Sequence, residues 1–322
     1  MSFLELENNA RLKNYQKDSS EEDFLTSLNL SLQKFDAERG HVRTPYPWVF
    51  VTGLPRSGTT LLMQCLASAF DFCYINNLIA RFWKAPVSGA RLSKIMLGEK
   101  AGSTFFSDFG KTNELSDVHE WSYFWIEKLK YKRDESFDRK RNAQEIDWEE
   151  VKEILDGITG VYQKCFLAKA LHPVKYVKEF LAINPQIFFI HIKRDFRDNC
   201  QSIYEARTKY YGDPNAWWSI IPDNYAEIKE APYFEQIPSQ LASLNSEMKE
   251  ELQAFAGDKR ISIRYEELCD DPQGILKHIH GELERVMKQD FSFSLDGIPE
   301  KFDRKKGREI EPELEKYIDE HF

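Results

Sequence analysis

The run Trp48-Val-Phe-Val-Thr52, followed at once by Gly53-Leu-Pro-Arg-Ser-Gly-Thr-Thr60, constrains this chain more than any other feature. The first part is short, β-branched and aromatic, and reads as a buried strand. In the second, Gly53, Gly58 and Thr60 keep the spacing of the phosphate-binding loop G-x-x-x-x-G-K-[ST]. The apolar run Leu61 to Phe70 then reads as a helix. Strand, glycine loop and helix together make an anion site from backbone N–H groups and a helix N-terminus. The departure from the pattern matters as much. Thr59 takes the lysine position and Arg56 lies inside the loop. A nucleotide triphosphatase needs that lysine for its terminal phosphates and an acidic residue for Mg²⁺. Arg56 offers instead a fork of donors suited to a tetrahedral anion, and Ser57, Thr59 and Thr60 add hydroxyls. Alone, the loop fits a ligand-free strand–helix turn equally well.

A second constellation favours a ligand. The apolar strand Ile187 to Ile192 runs into Lys193-Arg-Asp-Phe-Arg-Asp198 and a helix through about residue 210. Arg194 stands at the strand's C-terminal end, Ser202 two helical turns on, and Arg207 beyond it. An arginine and a hydroxyl so placed can grip a second phosphate, at the sheet edge where open α/β folds bind ligands. Ile261 to Tyr265 is a third strand, and Asp271-Pro272 opens another helix. Residues 3–38 have helical periodicity, with Ser20 and Asp23 spaced as a capping box, and Pro45-Tyr-Pro47 stops them. Residues 148–166 read as an amphipathic helix and 174–181 as a short one. Strands alternating with helices predict a parallel α/β sheet. The expected organisation is one domain over 1–322, with a helical extension about 1–45 and an aromatic-rich excursion about 74–145.

With 322 residues, 42% of them hydrophobic, the chain can bury a sizeable core. Its net charge of -9 argues against global attraction to nucleic acid or anionic membrane, so any polyanion must be held locally. No apolar stretch approaches the roughly 20 residues of a membrane-spanning helix, and residues 1–24 do not read as a secretory signal. Cysteines 65, 73, 165, 200 and 269 are scattered, without CxxC spacing. They read as reduced thiols of a cytoplasmic protein. The seven histidines show no zinc pattern, and no metal is expected.

"PRSGTT", then "FFIHIKRDFRDNCQSIY", then "ISIRYEELCDDP", in that order over about residues 48–275, resembles the sulfotransferases that use 3′-phosphoadenosine 5′-phosphosulfate (PAPS). The likeness is strongest to the branch with arginine in the first loop, which includes tyrosylprotein sulfotransferases and many bacterial enzymes. The resemblance implies a three-layer, P-loop nucleotide-hydrolase-like α/β fold, a parallel sheet flanked by helices. It implies that Arg56, Ser57, Gly58, Thr59 and Thr60 cradle the 5′-phosphosulfate and that Arg194 and Ser202 hold the 3′-phosphate. Tyr265 matches a cofactor-contacting tyrosine, and Lys169 falls near a lysine the family places beside the sulfuryl group. The basic segment 303–308 is distantly similar to one that closes over the nucleotide in some members. Donor and bisphosphate product (PAP) are thus the expected ligands, with no metal, since an activated sulfuryl anhydride does not require a Mg²⁺ clamp.

The acceptor, expected to be a small molecule or glycan, must lose a proton, and the sequence departs from the tyrosylprotein branch here. That branch carries a glutamate where this chain has Asn76-Asn77. Three groups are candidates for the general base: Glu120 and His119, before Trp121, Phe124 and Trp125, and His172, whose Lys-Ala-Leu-His spacing differs from the Lys-Thr-His of cytosolic sulfotransferases. The adjacent pair His119-Glu120 is the first choice. Trp83, Trp121, Trp125, Trp217 and Trp218 suggest aromatic walls for a sugar or an amphiphile. The rival readings are a P-loop nucleotide kinase or GTPase, opposed by Thr59, and a non-catalytic adenine-nucleotide-binding protein.

Overall fold

The computed structural model describes residues 8–38, 46–99, 103–132, 134, 137–304 and 309–322. Five parallel strands form its centre: β1 (Trp48–Thr52), β2 (Cys73–Tyr74), β3 (Phe166–Lys169), β4 (Ile187–Lys193) and β5 (Arg260–Arg264). They lie in the order β2-β3-β1-β4-β5. β1 pairs with β3 on one side (Val51 opposite Lys169) and with β4 on the other (Thr52 opposite His191).

β1, β3 and β4 are largely apolar and buried on both faces because both faces are covered, whereas the edge strand β5 buries only Ile263. Phe50, Phe166, Ala168, Ile187 and Phe189 pack against α4 (Ser122–Lys128), α5 (Trp148–Tyr162) and α6 (Val177–Ile183). On the opposite face Val51, Leu167, Phe188 and Ile190 pack against α2 (Thr59–Ala69) and α9 (Pro272–Met287). The result is the expected three-layer parallel α/β architecture. A third cluster, with Ile203, Leu241 and Ile318, joins α7 (Phe196–Tyr211), α8 (Tyr233–Glu251) and α10 (Pro312–His321). All five cysteine thiols are buried.

Helix α1 (Ser19–Glu38) is anchored on α3 (Pro86–Leu97), where the Asp36 carboxylate accepts from Val87 N and Ser88 N at 3.1 and 2.7 Å. Its cap is Asp18, which accepts from Ser20 N and Glu21 N, and not the expected Ser20. A carboxylate one residue before the helix satisfies the same orphan N–H groups and suits the dipole. Residues 148–166 are not one helix. α5 ends at Tyr162, Gln163 turns left-handed (φ 58°), and β3 begins at Phe166. Among the described residues no helix is long and apolar enough to cross a membrane.

Topology fixes where a ligand can enter. From β1 the chain passes to β2 and returns as β3 on one side, then crosses to β4 on the other. The switch point lies between β1 and β4, and the crevice beyond their C-terminal ends is the natural binding place.

Candidate active site

The loop after β1 fills that crevice. Gly53 admits no side chain: a Cβ there would lie 2.4 Å from the Ile192 carbonyl oxygen and 2.6 Å from Ser57 Oγ. Gly58 caps α2 with φ 98°, and a Cβ there would run into the Tyr265 ring at 2.3 Å. Arg56 also has positive φ (70°), a conformation that costs a non-glycine residue about 1–2 kcal/mol. Two groups beyond β4 over-determine it. Asn199 Nδ2 donates to the Pro55 carbonyl at 2.8 Å, and Arg194 Nη1 donates to the Arg56 carbonyl at 3.0 Å. In a planar trans peptide, tying the Pro55 carbonyl outward aims the Arg56 N–H the opposite way.

The two arginines of the sequence motifs therefore meet. Arg56 Nε donates to Ser202 Oγ at 3.2 Å, and the Arg194 guanidinium lies 4.8 Å over the Tyr265 ring. Burial, and next the Arg194 charge, push the Arg56 guanidinium down to about 10. It stays charged at neutral pH, beside another cation, in a site that rewards an incoming anion. Ser57 Oγ and Arg194 Nε are buried without a hydrogen-bond partner among the described residues. Thr59 and Thr60 are buried at the start of α2. Orphaned donors flanked by two cations fit an anionic ligand with two phosphate-like groups.

A cleft of about 720 Å³ adjoins the loop, with Arg56, Lys169, Glu120, His119, His172 and Trp218 in its lining. Lys169 ends β3, and its ammonium pairs with Glu120 at 2.7 Å. Burial raises Glu120, but Lys169 outweighs it and holds the carboxyl below the usual range. His119 accepts a hydrogen bond from Trp121 N at its Nδ1, 2.8 Å away, so the neutral ring carries its proton on Nε2. The ring is exposed into the cleft, yet loss of bulk water pushes it below the ordinary imidazole range, against the pull of Glu120. His172 is buried edge-on against Tyr131, ring centroids 4.8 Å apart.

All the residues singled out in the sequence converge on this crevice and cleft, except those that turn inward. Arg207 is fully buried, donating to Pro214 O, Gln236 and Gln240, so it braces α7 against α8 and offers no phosphate contact. Trp125 is packed in the core, and Trp217 meets Tyr225 edge-on with the Arg207 guanidinium 5.4 Å over its ring. Of the five tryptophans, Trp83, Trp121 and Trp218 reach the cleft. Asn76 caps a short helix through Ile79 N and bonds Ser93, while Asn77 ties Thr112 and Glu114. In the basic segment, Arg304 pairs with Asp270, and 305–308 lie outside the described residues.

Sequence reasoning missed the turn Asp108-Phe-Gly-Lys111, whose Gly110 lies against Arg56 and Thr60. It also missed the cleft's contribution from ahead of α1, where Lys17 contacts Tyr123 and pairs with Glu22 at 3.2 Å. Asp-x-Gly is a turn signal, but its place in the site is tertiary information.

These features define an α/β protein of P-loop-like architecture, with a lysine-free glycine loop at its topological switch point. Residues 47–287 match the profile of the sulfotransferase family, and the chain belongs to that family. Its fold is similar to that of sulfotransferase STF9 from Mycobacterium avium, with a TM-score of 0.50 and 12% identity over 86% of this chain and 77% of the other. Sulfotransferase STF1 from Mycobacterium tuberculosis H37Rv gives 0.49 and 14%, over 84% and 77%. A sulfotransferase from Alicyclobacillus acidocaldarius gives 0.43 and 16%, over 84% and 89%. Among curated proteins, none matches this chain in sequence.

Proposed function

We propose that this protein transfers a sulfuryl group from PAPS to a hydroxyl of a small-molecule or glycan acceptor. The observation that carries the reading is the contact between two anion grips on adjacent strands. Arg56, after β1, and Arg194, after β4, are joined through the Arg56 carbonyl, with orphaned donors beside both. Two cations drawn from neighbouring strand ends suit a nucleotide bearing more than one anionic group. The donor supplies an activated S–O bond, and the protein supplies position and charge.

In this reading Ser57, Gly58, Thr59 and Thr60 bind the 5′ end through the loop and the N-terminus of α2. Arg194 and Ser202 bind the 3′-phosphate, and Tyr265 supports both by packing on Gly58 and under Arg194. Negative charge grows on the bridging oxygen as the bond to sulfur breaks. Arg56 and Lys169 stabilise it as preorganised cations. Glu120 removes the acceptor proton. Its carboxylate is ionised at neutral pH and faces the cleft beside Lys169. His119 has its Nδ1 lone pair engaged by Trp121 N, so it serves as an Nε2–H donor to the acceptor. His172 is near enough to favour the charged form of Glu120.

The test is a binding and transfer panel. PAPS and PAP are expected to raise the thermal midpoint with EDTA present, and ATP and GTP with Mg²⁺ to have little effect. A PAPS-dependent acceptor screen by mass spectrometry should then yield products heavier by one sulfuryl group. Preference for a nucleoside triphosphate with Mg²⁺ would refute the reading in favour of a kinase or GTPase.

A further inference from the structure

Residues Asp108 to Lys111 form a two-residue reverse turn closed by reciprocal bonds, Asp108 N to Lys111 O at 2.8 Å and Lys111 N to Asp108 O at 2.9 Å. Both central residues are left-handed, Phe109 with φ 47° and Gly110 with φ 88°. Such turns favour Asn-Gly or Asp-Gly, so a phenylalanine there is held by something else. Its ring lies between two cations, 4.9 Å from the Arg56 guanidinium and 5.0 Å from the Lys209 ammonium, with Tyr210 edge-on. Both Asp108 carboxylate oxygens bind Lys209 Nζ at 2.8 Å, and Lys111 sits 4.1 Å over the Tyr210 ring. The turn is thus fastened to the end of α7, the helix that carries Ser202.

What it faces gives it meaning. A Cβ on Gly110 would lie 3.3 Å from Arg56 Nη1, 3.3 Å from Thr60 Oγ1 and 4.0 Å from Lys169 Nζ. Two cations and a hydroxyl, drawn from the ends of β1, β3 and α2, converge on the one residue of the turn without a side chain. We propose that this turn is the wall of the sulfuryl site: Gly110 leaves room for the transferring group between Arg56 and Lys169, and the Asp108–Lys209 clasp keeps bulk water out. The proposal rests on the PAPS reading above. Asp108, Gly110 and Lys209 are positioning residues in it, acting through Arg56, Lys169 and the exclusion of solvent.

Water is the competitor such a wall must defeat. A water oxygen attacks sulfur, the S–O bond to the phosphate breaks with its electron pair going to the phosphate oxygen, sulfate and PAP leave, and both protons of the water pass to solvent. That wasteful reaction needs only PAPS, so it can be followed without knowing the acceptor. Asp108 and Lys209 are 43% and 35% exposed, so Asp108→Asn and Lys209→Met should fold. Each is expected to bind PAP like the parent while releasing sulfate from PAPS about tenfold faster. Gly110→Ala puts a methyl where the sulfuryl group belongs. The left-handed position (φ 88°) and the close approach to Arg56 and Thr60 act on both ligands, so the reading is a ratio: PAPS should weaken about tenfold more than PAP, because only PAPS carries that group. Unchanged sulfate release in both clasp variants, or equal losses of PAP and PAPS in Gly110→Ala, overturns the proposal while leaving the donor reading intact. A parent protein that binds neither PAP nor PAPS overturns both.

Discussion

Replacing Arg194 with alanine separates the two anion grips. Among the described residues Arg194 Nε is buried without a hydrogen-bond partner, Nη1 is spent on the Arg56 carbonyl and Nη2 lies 3.8 Å from the Asp198 carboxylate, so the 3′-phosphate stands to gain Nε and to draw Nη2 from Asp198. A hydrogen bond to a charged group contributes about 1.5–3 kcal/mol, roughly 10- to 150-fold in affinity. The substitution also frees the Arg56 carbonyl, a loss of about 1 kcal/mol. Against that, it removes a like charge that now disfavours the Arg56 cation. Both side effects fall on the 5′ end and so act alike on PAP and 5′-AMP. Calorimetric titration of the two ligands against parent and Arg194→Ala isolates the 3′ contribution as a ratio of ratios. We expect PAP to lose about tenfold to a hundredfold more than AMP. Arg194→Lys should fall between, keeping charge but losing the planar fork over Tyr265. Equal losses for PAP and AMP would show that Arg194 serves the loop alone, and would refute its assignment to the 3′-phosphate.

Three further outcomes follow from the structure. Glu120→Gln should keep PAP binding and lower turnover by about 10² to 10⁴; near-normal turnover there, with His172→Asn inactive, would move the base to His172. Lys169 holds Glu120 below the usual carboxylate range, so the acid limb of the rate profile should lie below that range and shift upward in Lys169→Met, where burial loses its main opponent. Burial, then Lys193, lowers His191 on β4 to about 4, so between the unfolded value near 6.5 and about 4 the unfolded chain binds more protons. Stability should be level above that window and fall as pH drops through it, by on the order of 2–3 kcal/mol; chemical denaturation of His191→Gln should show a flatter pH dependence, and an unchanged slope would exclude His191 as the cause.

The strands carrying the donor grips were legible because their signals are local. β1 and β4 are apolar runs punctuated by glycine, proline or charge, β5 alternates isoleucine with polar residues, and the loop's glycines mark positions that only glycine fills. β2 and β3, two and four residues long, are too short for any period to register. β3 was also masked by the end of α5, because Gln163 makes the left-handed turn where a glycine would have announced it. α8 carries Pro238 within it, which hides a helix from propensity alone. The carboxylate–ammonium pair Glu120–Lys169 joins residues 49 positions apart, and no spacing rule connects them. Asn76 and Asn77 were legible as a departure from a pattern, but their work in capping and tying the excursion was visible only in their partners.

The order of the strands also separates two inheritances. The donor grips come from the loop after β1 and the start of α7, whereas Glu120, His119 and the Asp108 turn all lie in one stretch between β2 and β3. That stretch leaves the sheet at Tyr74 and rejoins it at Phe166, on the side of β1 away from β4. On the reading proposed above, a graft between those two points exchanges Glu120, His119 and, with the Asp108 turn, one wall of the sulfuryl site, while Arg56, Arg194 and Ser202 stay in place.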